Sequence, residues 1–346
     1  MASPRMKDSE FLALLVHRGH VQAAKARQWV ASLSEGASLD ALLADSGFTE
    51  EEIARLRRTR AGETPEIPGY KVRKRIGVGG TSDVFQVDEL KTGQTLALKV
   101  LNPKSTQHAP TRKAFIAEAR LLERLDHEAL VRCHGVARSG NTFFSRLEFI
   151  QGQTLLEILE ERGEGLAEEE ALSVIVEAAK ALAYLSENGV VHRDVKPGNL
   201  MIDEATGRVV LIDLGFATSG GDSSGPAADQ AIGTVAYLSP EAAAGGAAAD
   251  VRSDIYSLGL SLFHLSVGKL PFETDCDDRE VLRQKVMESL SSPELLRRRI
   301  SPHLQYFIEK MVAHDADDRY QSYDALIRDV EAQIRGREAL SIFRRR

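Results

Sequence analysis

The apolar residues of this chain change their spacing twice, and each change marks a different kind of structure. From Ser9 to about Arg60 they recur at helical intervals, with Phe11, Leu14 and Leu15 on one face, then Trp29, Val30 and Leu33, then Leu39, Leu42 and Leu43. The segment repeats weakly, Leu14-Leu15 with Gly19-His20 returning as Leu42-Leu43 with Gly47-Phe48, which predicts two helical hairpins. Thr49 followed by Glu52, ahead of Ile53, predicts a capping box, in which hydroxyl and carboxylate each satisfy a free amide at a helix start. Pro65 and Pro68 then remove amide donors and fix an extended backbone. Residues 1–62 therefore read as a small all-α accessory module and 63–69 as a linker.

From Tyr70 the period shortens. Tyr70 to Ile76 alternates apolar with basic residues and runs through Gly77-Val78-Gly79-Gly80-Thr81-Ser82 into Asp83-Val84-Phe85, a strand on each side of a glycine-rich turn. Residues 95–100, 131–136 and 142–149 read as three more strands, and 115–122 as a helix, giving a five-stranded antiparallel sheet with one helix. Beyond Gly152 helical spacing returns at 155–161 and at 168–188, the latter stopped by Gly189. Short strands are expected at 200–202 and 209–212. Residues 253–267 are apolar on all sides, so they predict a central buried helix, with further helices at about 278–289, 302–312 and 322–335. Ser219 to Asp229, rich in Gly, Ser and Ala, lacks any period and reads as a loop. The fold class is α+β.

Composition narrows the function. With 346 residues the chain can hold more than one domain, and its net charge of −7 argues against nucleic acid as a partner. Cys133 and Cys276 stand far apart, so neither a disulfide framework nor a zinc cluster is expected. No apolar run is long enough to span a bilayer, and Phe11 to Val16 is too short for a signal-peptide core. These features predict a cytoplasmic protein. His17 and His20 lack a third ligand nearby and read as surface histidines.

One stretch carries unusual chemistry. His192-Arg193-Asp194-Val195-Lys196-Pro197-Gly198-Asn199-Leu200 gathers a carboxylate, a cation and an amide within six residues of one another. Pro197-Gly198 explains a bend before a strand but not the charges. A hydroxyl attacking a phosphoryl group needs an acceptor for its proton, which Asp194 supplies, and charge neutralisation, which Lys196 and a metal on Asn199 supply. Upstream, the glycines of 77–80 let backbone amides approach phosphate oxygens, and Lys99 sets one long cation in an apolar strand.

The order H-R-D, four residues, Asn resembles the catalytic loop of protein kinases. Over about Ile67 to Ile334 the chain is similar to the eukaryotic-like (Hanks-type) bacterial Ser/Thr protein kinases. The resemblance implies a two-lobed fold: small lobe 70–147, hinge 148–152, large lobe 153–335, then a basic tail 336–346. It implies that Lys99, paired with Glu118, grips the α- and β-phosphates of ATP, and that Asp194 and Lys196 act on the hydroxyl and the transferred group. Asn199 and Asp213, the latter in Asp213-Leu214-Gly215, would hold Mg²⁺, or Mn²⁺ in its place. The ATP site would be lined by Ile76, Gly77, Gly79, Gly80, Ser82, Val84, Ala97, Leu147, Glu148, Ile150 and Met201, with backbone groups of Glu148 and Ile150 bonding the adenine edge.

Glu241 would pair with Arg319, and Asp254 would anchor the catalytic loop. Thr218, Ser219, Ser223, Ser224 and Thr234 fall in the activation segment, where Arg193 would bind a phosphate, whereas Arg112 and Lys113 read as solvated. Three departures from the family pattern are Ser82 for its third glycine, Leu214 for Phe in D-F-G, and Ser239 for Ala in A-P-E. The implied function is ATP-dependent phosphorylation of serine and threonine in a protein substrate, with autophosphorylation, in signalling, and with the N-terminal module binding a partner. The alternative is a pseudokinase scaffold that binds partners through that module.

Overall fold

The structure, a computed structural model, describes residues 8–17, 20–34, 37–50, 52–53, 56, 65–214, 218–219, 235–244, 250–271 and 300–344. Gly215, Ser223, Ser224, Thr234 and the helix expected at about 278–289 lie outside these. Its contacts fall into two units, residues 1–123 with 133–149, and residues 124–132 with 150–346.

The first unit begins with three helices, α1 (Asp8–His17), α2 (Ala23–Ser34) and α3 (Leu39–Ala44). Phe11, Leu12, Leu15, Trp29, Leu39 and Leu43 close a core of their own, joined by Ile53 and Leu56. That core is what the helical spacing requires, since three short helices are stable only when their apolar faces meet. The Thr49 capping box forms: the Thr49 amide donates to Glu52 Oε2 at 2.8 Å, and the Glu52 amide to Thr49 Oγ1 at 3.2 Å.

Five antiparallel strands follow in the order β1 (Tyr70–Val78), β2 (Ser82–Glu89), β3 (Thr95–Leu101), β5 (Thr142–Glu148), β4 (Cys133–Ser139). Phe85, Val87, Leu96, Leu98, Val100 and Phe144 form a core with Ile67 on one face of this sheet. Two helices accompany it, α4 (Pro103–Gln107) and α5 (Ala109–Leu122); the first has no counterpart in the sequence expectations. β1 keeps its in-and-out alternation only to Val72, because register shifts at Val72/Lys74 and Arg75/Gly77 turn the strand, leaving Ile76 and Val78 exposed. β4 starts two residues later than expected. Leu130 and Val131 are committed elsewhere, Leu130 bridging to Leu211 and the Val131 amide donating to the Leu211 carbonyl at 3.0 Å.

The second unit is mainly helical: α6 (Leu155–Arg162), α7 (Glu168–Glu187), α8 (Pro240–Ala243), α9 (Val251–Val267), α10 (Pro302–Met311) and α11 (Tyr323–Arg344). Short strands β6 (Gly152–Thr154), β8 (Leu200–Asp203) and β9 (Val209–Leu211) make one small sheet, and β7 (Val190–Val191) with β10 (Thr218–Ser219) another. Gly152 is required where β6 meets β8, since a Cβ there would lie 1.8 Å from the Ile202 carbonyl oxygen. α9 is buried continuously from Ser253 to Phe263, as its all-round apolar sequence requires. α11 passes the expected end at Arg335 without a break at Gly336, so the backbone of the basic tail is helical to Arg344. No described helix is long and apolar enough to cross a membrane.

Candidate active site

In the first unit the strand register decides which residues share a face. Val84 pairs with Lys99, Lys99 with Ser145, and Ala97 with Leu147. Paired residues point the same way, so Val84, Ala97, Lys99 and Leu147 lie on the face opposite the Phe85–Leu98 core. Lys99 is therefore the one cation of β3, on the side from which α5 presents Glu118. Its Nζ lies 2.7 Å from Glu118 Oε1, and both side chains are largely buried, at 14% and 12% exposure.

The glycine turn between β1 and β2 is tied down more firmly than its composition suggests. Asn102 Nδ2 donates to the Gly80 carbonyl at 2.9 Å, and its amide to the Thr81 carbonyl at 2.9 Å. A Cβ on Gly79 would lie 2.7 Å from the Ser82 carbonyl oxygen, so the turn demands glycine there. Ser82, which replaces the expected third glycine, is buried at the base of β2. Leu147 and Ile150 are buried, and Glu148 ends β5; the division between the two units falls after Phe149.

In the second unit the loop after β7 is built around a buried acid. Asp254, in the first turn of α9, accepts the His192 amide at 2.8 Å, the Arg193 amide at 2.7 Å and the Tyr323 hydroxyl at 3.1 Å. Burial pushes the Asp254 carboxyl above the usual carboxylate range, opposed by His192 and by these donors. This anchoring holds Arg193 at φ 68°, the left-handed region that costs a non-glycine residue about 1–3 kcal/mol. His192 is fully buried and joins two segments: Nε2 donates to the Asp213 carbonyl at 2.6 Å, and Nδ1 accepts the Asp194 amide at 3.1 Å. Those two partners fix one tautomer, with the proton on Nε2.

The Asp194 carboxylate, 6% exposed by residue, faces two donors. Lys196 Nζ lies 2.8 Å from Oδ2 and 3.0 Å from Oδ1, and Asn199 Nδ2 lies 3.0 Å from Oδ2. Asn199 also donates to the Asp194 carbonyl at 2.8 Å, and its own carbonyl accepts the Ile212 amide at 3.0 Å. Asn199 is thereby placed beside the segment carrying Asp213. With Nδ2 turned to Asp194, Oδ1 is the Asn199 atom left to ligate a cation. No group of three His, Cys, Asp or Glu gathers around a metal position among the described residues. An amide oxygen and a carboxylate are nevertheless hard donors of the kind a divalent cation takes.

Behind this loop Glu241 and Arg319 meet as a bidentate pair at 2.8 and 2.9 Å. The remaining Arg319 donors reach the carbonyls of Ala313, Arg252 and His314, and its side chain is fully buried. Burial raises the Glu241 carboxyl, but the Arg319 hydrogen bonds and charge outweigh it and hold it down to about 2.

Met201 lies in β8 and is half-buried. Thr218 and Ser219 form β10, paired with Val191 and Val190. Leu214 is buried. Sequence reasoning missed Asn102 and the linking role of His192, whose signals were an Asn before Pro103 and a histidine beside a strand end. It also placed Arg112 in solvent, whereas this side chain is half-buried and donates to the Thr106 carbonyl at 2.6 Å.

The protein kinase domain family matches residues 70–329. A probable serine/threonine-protein kinase of Streptomyces coelicolor is 33% identical over 276 residues, 77% of this chain and 40% of that protein. Serine/threonine-protein kinase PrkC of Bacillus subtilis is 30% identical over 270 residues, 77% of this chain and 40% of its own. PknB of Mycobacterium tuberculosis is 33% identical over 259 residues, 73% and 41% respectively. The chain thus spans about two fifths of the length of these curated relatives. From the family match and the ordered series Lys99, Glu118, Asp194, Asn199, Asp213, Glu241 and Arg319, this chain belongs to the protein kinase family, in its bacterial Hanks-type serine/threonine branch.

Proposed function

We propose that this chain transfers the γ-phosphoryl group of ATP to serine and threonine hydroxyls of a protein substrate, including its own. The family works with ATP and a divalent cation; here Mg²⁺ is the ion that the oxygen pair of Asn199 and Asp213 fits. The observation that carries the reading is the Asp194 carboxylate with Lys196 at 2.8 Å and Asn199 at 3.0 Å on a loop anchored by Asp254. Asp194 orients the attacking hydroxyl and accepts its proton, and Lys196 offsets charge on the transferred group. Lys99, oriented by Glu118, binds the α- and β-phosphates. The bound metal supplies neutralisation of phosphate charge.

Residues 1–62 take no part in this chemistry. Their separate core supports a module that recruits a partner or substrate. Incubation of the purified chain with ATP, Mg²⁺ and a generic Ser/Thr peptide, followed by mass spectrometry, tests the reading. Phosphoserine or phosphothreonine on peptide and chain is expected. Phosphotyrosine alone, or no incorporation, would contradict it.

A further inference from the structure

A cavity of about 360 Å³ opens in the first unit where α4, the start of α5 and the β4–β5 hairpin meet. Its apolar surface comes from Pro103 and Phe143, and its charge from Arg112 and Arg138. Both guanidiniums lie near the same ring, Arg138 at 5.2 Å and Arg112 at 5.9 Å from the Phe143 centroid. Each is steadied by neutral acceptors alone. Arg112 donates to the Thr106 carbonyl, and Arg138 to the Gly140 carbonyl at 2.6 Å and to Asn141 Oδ1 at 3.4 Å.

Among the described residues neither arginine meets a carboxylate. This contrasts with Arg132, Arg162 and Arg252, each paired with Asp or Glu, in a chain with 51 acidic against 44 basic residues. The first turns of α4 and α5 contain no acidic residue to neutralise the site.

We propose that this cavity is a binding site for the phosphorylated side chain of a peptide. Two guanidiniums balance a phosphate dianion and present planar forks to its oxygens, and the start of α5 adds a weak positive field. The volume is within the range of small-ligand cavities, about 300–1,000 Å³, and far more than one phosphate group fills. Phe143 and Pro103 would hold the methylene or methyl of the modified residue and its neighbour, while Gln107 and Asn141 meet peptide backbone. The site spans the hairpin and the helix that carries Glu118, apart from the residues assigned to phosphoryl transfer.

The test uses the full chain without nucleotide, so that its outcome does not depend on the proposed catalysis. Binding is measured to a degenerate nonapeptide library with central phosphothreonine, and to the same library with threonine or glutamate in that position. Preference for phosphothreonine of about tenfold or more is expected, with Arg138→Gln and Arg112→Gln each reducing it by a similar factor and Arg138→Lys retaining part. Arg138 is exposed, so its substitution leaves folding intact even if Arg112→Gln does not. Equal binding to threonine or glutamate peptides, an Arg138→Gln protein that binds normally, or competition by inorganic phosphate as effective as by the phosphopeptides would overturn the site.

Discussion

Asp194 is held by its neighbours rather than by its position in the chain. Lys196 and Asn199 fix its carboxylate, while His192 fixes its amide. Asp194→Asn keeps the size of the side chain and removes the proton acceptor, so kcat should fall by about 100-fold or more with KM for ATP nearly unchanged. Steady-state kinetics at varied ATP checks this. Glu118→Gln removes the carboxylate charge that orients Lys99, and the expected loss appears in both kcat and KM, with Lys99→Met more severe. These charges stood out through their order along the chain, which resembles that of protein kinases; a lysine in an apolar strand, taken alone, reads equally as a solvated edge residue. The left-handed Arg193 and the Asn102 tie did not stand out. They depend on Asp254, far along the chain, and on the carbonyls of a turn, neither of which leaves a local pattern.

At the scale of elements, α8 is joined to the segment before α11 by one buried ion pair. Arg319 spends its donors on Glu241 and three carbonyls, so Arg319→Leu strands a buried carboxylate and should cost about 3–5 kcal/mol in denaturant unfolding. The pair also carries a pH signature. The Glu241 carboxyl lies near 2 when folded against an ordinary 4.5. A depressed folded value means stability that is fully present above 4.5 and lost as pH falls towards 2, amounting to about 3 kcal/mol. Glu241→Gln should therefore melt lower than the parent at pH 6 and close much of that gap at pH 3. Strands and helices with clean periods, such as β3, α7 and α9, were readable in advance. The starts and ends that moved, β4 and α11, were set by backbone hydrogen bonds to Leu211 and by a helix with nothing to stop it.

For the whole molecule, the core of residues 11–56 is distinct from that of the sheet, and His20 reaches Glu66 of the linker at 3.2 Å. A chain shortened to begin at Glu66 should stay folded and keep its activity on a generic peptide while losing partner binding. Melting several degrees lower or precipitation would instead make the helices a structural brace. That these helices close a core of their own was legible in their apolar spacing; a partner was not, because apolar spacing records packing and not recognition. Whether the chain is an enzyme is decided by transfer of label from γ-³²P-ATP with Mg²⁺ by the full chain and by Asp213→Ala. Label is expected on serine and threonine of the parent, and at least about 100-fold less with Asp213→Ala, whose fold should be unchanged by circular dichroism. Undiminished labelling by a folded Asp213→Ala chain, or none by the parent, would contradict catalysis by this site.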